Sequence, residues 1–149
     1  MKRKTIYFFL TFVLSLMLGL FASACVNGNS SVESGDIRAS VVSTEDKLVV
    51  IKVDSATENT TLVQVMSYLQ QEGELTFSIG KDGMVNAING KENDTVTWTP
   101  FWYLYTSDAE LSNAEWGTAT YGEITCGSAI FGADSLTVLG GEYYIWEYK

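Results

Sequence analysis

The chain has 149 residues, nine basic against eighteen acidic, and no histidine, for a formal net charge of −9. Nucleic-acid binding needs a dense basic footprint to displace counterions, and the six cations beyond residue 25 are scattered in a stretch of net charge −12, which excludes that class. Lack of histidine removes the commonest general base and transition-metal ligand, so zinc-type centres and His-dependent triads are excluded too.

The first residues read charged, apolar, small: Lys2-Arg3-Lys4, an apolar run from Ile6 to Phe21, then Ala22-Ser23-Ala24-Cys25. That order is a secretory leader. The small residues before the cysteine resemble the lipobox of bacterial lipoproteins, with Ala22 in place of the usual Leu. The resemblance implies a signal peptide over 1–24 and lipidation of Cys25, which would anchor the protein to a membrane through its acyl chains. The alternative is an uncleaved signal anchor, since the run approaches the ~20 residues that span a bilayer. Both place the remainder on the extracellular or periplasmic side. With Cys25 acylated, Cys126 has no disulfide partner, and with apolar and small neighbours it is expected to be buried and inert.

Residues 25–46 are rich in Ser, Asn, Gly and acidic side chains and are expected to form a flexible tether, with the domain over 47–149. Leu48 to Val53 is short and β-branched, which predicts a buried strand. Thr61 and Gln64 match a capping box. Leu62, Val65, Met66 and Leu69 recur at helical spacing, and Gly73 closes the helix. Strands are predicted at Leu75–Ile79 and Met84–Ile88 around an Asp82-Gly83 turn, followed by a turn at Asn89-Gly90. Phe101 to Tyr105 is an aromatic strand, and Thr106 to Tyr121 reads as a long polar excursion. Leu136–Leu139 and Tyr143–Tyr148 flank Gly140-Gly141, which predicts a hairpin. One helix among several strands gives an α+β fold, a β-grasp-like mixed sheet with the amphipathic helix packed on one face.

From Lys47 to Lys149 the chain resembles bacterial domains similar to the carboxy-terminal half of transcobalamin and intrinsic factor. The features that carry the resemblance are the helix Thr61–Gln71, Asn89 with Gly90, Trp102, and the stretch Gly127-Ser128-Ala129-Ile130-Phe131-Gly132-Ala133. It implies a β-grasp fold and a ligand-facing edge, because in the vitamin carriers this domain covers one side of bound cobalamin.

Aromatic planes beside a few polar groups suit a flat or polar small molecule. The expected ligand-binding residues are Asn89, Gly90, Trp102, Tyr105 and Trp116, and each has a plainer reading: core packing for the strand aromatics, a turn for Asn89-Gly90, a loop anchor for Trp116. Asp82, Glu92, Asn93 and Asp94 supply oxygen ligands on nearby turns and raise calcium as a lesser candidate, although their spacing is not that of an EF-hand. No spacing singles out a catalytic carboxylate pair. The function expected is non-catalytic binding of a small, cobalamin-like ligand. The alternatives are a protein-interaction domain of a cell-surface assembly or a calcium-binding domain.

Overall fold

The structure, a computed structural model, describes residues 36–149. The leader, Cys25 and the first part of the tether lie outside the described residues. The elements are β1 (Arg38–Glu45), β2 (Leu48–Ser55), α1 (Leu62–Gln71), β3 (Phe77–Ile79), β4 (Val85–Ile88), β5 (Lys91–Glu92), β6 (Trp102–Thr106), β7 (Ser112–Tyr121), β8 (Ile124–Ala129) and β9 (Tyr143–Tyr148). They make a six-stranded sheet in the order β1-β2-β9-β6-β8-β7 and a small sheet β3-β4-β5. The fold is strand-rich α+β with one short helix. The expected mixed sheet is corrected: every strand pair is antiparallel.

Helix α1 forms where its periodicity predicts. Leu62, Val65, Met66 and Leu69 are fully buried, and the Thr61 amide donates to Gln64 Oε1 at 2.8 Å. At the other end Gly73 N donates to Gln70 O and Glu74 N to Leu69 O, a Schellman closure that satisfies carbonyls the helix leaves open. The buried stripe packs on Val49, Ile51, Val53, Tyr144 and Trp146 of the main sheet. Alternation along the strands sends Val50, Tyr105 and Ile145 to the opposite face, where a second core forms with Cys126 and Ala119.

The segment expected to be a polar excursion closes that second face. Residues 112–121 are β7, the longest strand, paired with β8. The pairing skips from Asn113 to Thr118, and a bulge of this kind bends a strand and increases its twist. The sheet thereby curls until its outer strands meet, with Tyr121 Oη donating to Val42 O in β1 at 3.2 Å. The strand's polar composition was misleading because it faces water on one side: Thr120 and Glu115 are exposed while Ala119 is buried.

Two further expectations are corrected. Residues 38–45, expected in the tether, form β1, paired along β2, because Ala39 and Val41 turn one face of a Ser- and Thr-rich strand onto the core. The hairpin at Gly140-Gly141 does not form. Leu136 O accepts from Leu62 N, and Val138 N donates to Thr60 O, so this segment runs beside the start of α1 and β9 pairs with β2 and β6 instead. Gly140 passes so close to β2 that a Cβ would meet Asp54 O at 2.8 Å.

Because β1 covers one edge of β2 and contributes buried Ile37 just before it, a chain beginning at Lys47 is expected to melt more than about 10 °C below one beginning at Asp36. Thermal unfolding followed by circular dichroism checks this; equal melting temperatures would return residues 38–46 to the role of a tether.

Candidate functional site

The two sheets are joined at Trp102. Its indole Nε1 donates to Lys91 O and its backbone amide to Asn93 Oδ1, both at 2.8 Å. Asn93 Nδ2 in turn donates to Val85 O at 2.8 Å. The ring lies 5.0 Å from that of Tyr148 at 44°, and Tyr148 Oη donates to Glu92 O at 2.6 Å. Trp102 is 4% exposed, so the small sheet is bolted to the end of β6 through a buried indole.

On one side of this indole lies a cleft of about 370 Å³. Val49, Ile88 and Trp102 form its apolar back. Thr44 and Glu45 at the end of β1, with Asp46 in the β1–β2 turn, form one rim, and Asn89 and Lys91 from the β4–β5 hairpin form the other. The hairpin brings the second rim together because Asn89 (φ 49°) and Gly90 (φ 76°) both adopt the left-handed conformation of a two-residue turn, which pairs Ile88 with Lys91. Asn89 N donates to Thr76 O and Asn89 Oδ1 accepts from Thr76 N, at 2.8 and 2.9 Å. With one Oδ1 lone pair engaged, Asn89 keeps both Nδ2 hydrogens as donors for a ligand.

The rims are bridged by an ion pair, Lys91 Nζ to Asp46 Oδ1 at 2.6 Å. The same ammonium sits 5.6 Å from the centroid of Tyr148. The hydrogen bond and charge of Lys91, aided by Lys47, hold the Asp46 carboxyl below the ordinary carboxylate range. A depressed carboxyl contributes to stability above its unfolded value, and the contribution is lost as pH falls through the folded value. The bridge is therefore closed at neutral pH and released in acid.

Of the residues expected from the sequence, Asn89, Gly90 and Trp102 come together at this cleft or on the turn that forms its rim. Tyr105 does not join them: it is buried in the second core, where its hydroxyl accepts from Lys149 Nζ at 2.7 Å. Trp116 is 67% exposed in the β7 bulge, beside Gly117, which passes over the Tyr105 ring. The sequence did not single out Lys91 or Asp46. The Asn-Gly turn was the available signal for Lys91, since it returns position 91 beside position 88. Nor did it separate Trp98, which is 58% exposed and stacks 5.8 Å from Phe101, itself edge-on to Tyr103 at 6.0 Å.

Three of the four calcium candidates are engaged in local hydrogen bonds. Asp94 accepts from the amides of Val96 and Thr97 and from the Thr97 hydroxyl, Asp82 accepts from Met84 N, and Asn93 links β4 to Trp102. Among the described residues no group of three or more acidic, cysteine or histidine side chains is placed to hold a metal ion. Cys126 is buried and free, and burial, with a small contribution from Glu142, pushes its thiol up to about 11. No helix among the described residues is long and apolar enough to cross a membrane. Comparison with protein-family models, curated proteins and solved structures finds no match to this chain.

Two outcomes follow from these environments. In carbon-detected nuclear magnetic resonance Asp46 should titrate below the ordinary aspartate range and return to it in Lys91→Met; an unchanged midpoint in the variant would mean that Lys91 is not its partner in solution. At pH 8 mass-mapped alkylation should leave Cys126 unmodified in the folded chain and modify it readily in denaturant. Equal labelling in both states would contradict its burial.

Proposed function

We propose that the chain is a lipid-anchored surface protein whose domain binds a small, flat molecule with a polar rim, without catalysis. A cobalamin-like corrinoid is the first candidate from the family resemblance. The observation that carries the reading is the convergence of Asn89 and Trp102 with Asp46 of the distant β1–β2 turn on one cleft with an apolar back and a polar rim. Its volume falls at the lower end of the ~300–1,000 Å³ typical of small-molecule sites, which suits an edge or one side of a macrocycle better than its whole body. The β-grasp relationship rests on the family resemblance and on α1 lying on one face of the sheet; the antiparallel pairing of β2 with β9 departs from the mixed sheet it implies. Surface anchoring rests on the leader and on Cys25. The non-catalytic reading rests on the lack of histidine and on the engagement of Asp46 by Lys91.

A second reading, a domain that docks a larger surface protein, draws on exposed Trp98 and Tyr103 with half-buried Phe101 between them. Photo-crosslinking from position 98 in intact cells should then trap one defined protein, whereas an unspecific smear would dispose of it.

Isothermal titration of the full chain with cobalamin and cobinamide tests the first reading. Saturable heat is expected, with about tenfold weaker binding for Lys91→Met and for Asn89→Ala, the effect of losing one hydrogen bond of ~1.4 kcal/mol. Trp102 is kept intact because the fold depends on it. No heat with either corrinoid rejects them as ligands; heat that both variants leave unchanged moves the site away from this cleft.

A further inference from the structure

The loop between β5 and β6 is closed on itself. Asp94 Oδ1 accepts from the amides of Val96 and Thr97 at 2.8 and 3.0 Å, and Asp94 Oδ2 accepts from the Thr97 hydroxyl at 2.6 Å. Trp98 N donates back to Asp94 O at 2.9 Å, Asp94 N donates to Pro100 O, and the backbones of Phe101 and Lys149 pair with each other. What this framework holds out is apolar: Val96 is 87% and Trp98 58% exposed.

Trp98 is held in the left-handed region, at φ 61°, where a bulky side chain is an outlier. The other two non-glycine residues with positive φ among the described residues are asparagines, Asn59 and Asn89, a type that tolerates it. Glycine or asparagine would close the same loop with less strain, and burial does not account for the indole, since more than half of the residue meets water. Strain retained in an over-determined loop clusters at contact sites. Phe101 stacks against one side of the ring, 5.8 Å away at 29°. The register sets the loop at the end of the main sheet where β1 turns into β2: Trp102 pairs with Tyr148 and Leu48 with Glu147, while Arg38, the first residue of β1, pairs with Ser55 at the other end. A partner therefore reaches Trp98 without meeting the entry of the chain into the domain.

Charge decides what covers such a ring. The stretch beyond residue 25 has a net charge of −12, and three of its six cations are already paired, Lys52 with Asp54, Lys91 with Asp46 and Lys149 with Glu147. Its field repels anionic lipid, nucleic acid and acidic proteins and attracts cations. The aromatic row already receives one cation, Lys149 Nζ, 5.5 Å from the centroid of Tyr103. Among the described residues none lies over Trp98, although indole is the side chain that attracts cations most strongly. Beside it the Thr97 hydroxyl, with the amides of Thr97 and Val96, holds the Asp94 carboxyl below the ordinary carboxylate range, which keeps an anion in the same loop at neutral pH. We propose that the exposed side of Trp98 is the docking point for an arginine of a partner protein, its guanidinium stacked on the indole. Arginine fits better than lysine because its charged group is flat and weakly hydrated. The proposal rests on the docking reading given above and is independent of the Asn89 cleft.

The full chain, nitrogen-15 labelled, shows the indole signals of its four tryptophans, and the Trp98 signal is assigned by its loss in Trp98→Gly. Glycine adopts positive φ freely, so this variant should keep the fold; if it does not, Trp98→Asn takes its place. The probe is the peptide acetyl-Gly-Arg-Gly-Arg-Gly-amide, titrated against the same peptide with citrulline for arginine, which has the same shape without the charge. A saturable movement of the Trp98 indole proton is expected with the arginine peptide, with about fivefold weaker binding both of the citrulline peptide and of the arginine peptide to the Trp98 variant, and weaker binding at higher salt. No saturable movement of the Trp98 signal, or an affinity for the arginine peptide that the variant leaves unchanged, overturns the proposal. Equal affinity of the parent chain for both peptides, lost in the variant, sinks the arginine and leaves Trp98 as a docking residue, whereas a failed crosslink from position 98 in intact cells removes the docking reading itself.

Discussion

Trp102 receives constraints from three directions at once. Its indole N–H holds β5, its backbone amide holds the Asn93 side chain that in turn holds β4, and its ring packs on Tyr148 of the last strand. A three-stranded sheet with strands of three, four and two residues has too little surface to be stable alone. It is ordered because Val85 and Ile88 are buried against the main core and because Trp102 supplies the polar attachments at its edge. The Asn89 cleft lies beside this large, rigid indole, where the small sheet meets the large one.

The second constraint is the need to cover two faces of one sheet with a single helix. Helix α1 buries only the face bearing Val49, Ile51 and Val53. The opposite face, with Val50, Tyr105 and Ile145, is closed by the sheet's own curl: β8 brings Cys126 over it, with Cys126 Sγ 3.9 Å from Tyr143 O, and β7 brings Ala119. The bulge between Asn113 and Thr118 is what allows the bend. It also explains why Trp116 is exposed: the residues looped out of the pairing have no opposite partner, and where Gly117 covers Tyr105 its neighbour Trp116 is turned to water.

Periodicity was a good guide wherever an element has one dry face of uniform chemistry. Helix α1, the β2 run of β-branched residues and the Asn-Gly hairpin all stand where their patterns put them. Legibility failed where burial is achieved by small or hydroxylated residues. In β1 the inward positions are Ala39 and Val41 among serines and threonines, and in β7 Ala119 is the sole fully buried apolar residue, so neither strand produces a hydrophobic signal. The Gly140-Gly141 pair shows another limit. A glycine pair marks either a tight turn or a close backbone approach, and here the approach to Asp54 O decided. For the site, Asn89 and Trp102 were found because a turn and an aromatic strand are local features. Their meeting with Asp46, and the separation of Tyr105 from them, are set by long-range pairing that no local pattern encodes.

The Asn89 cleft is held apart by packing, whereas its mouth is crossed only by the Asp46–Lys91 pair, whose carboxylate side chain is 82% exposed. Exposed ion pairs contribute little net stability, since Coulomb attraction in water is offset by hydration and by the entropy of two long side chains. Breaking this one to admit a ligand therefore costs the fold little, and a ligand that offers Lys91 an acceptor and Asp46 a donor recovers what is lost. The Lys91 ammonium lies 5.6 Å from the centroid of the Tyr148 ring, and cation–π attraction favours that place even without its carboxylate. The pair joins side chains at the rim alone, and the apolar back formed by Val49, Ile88 and Trp102 is set by packing independently of it.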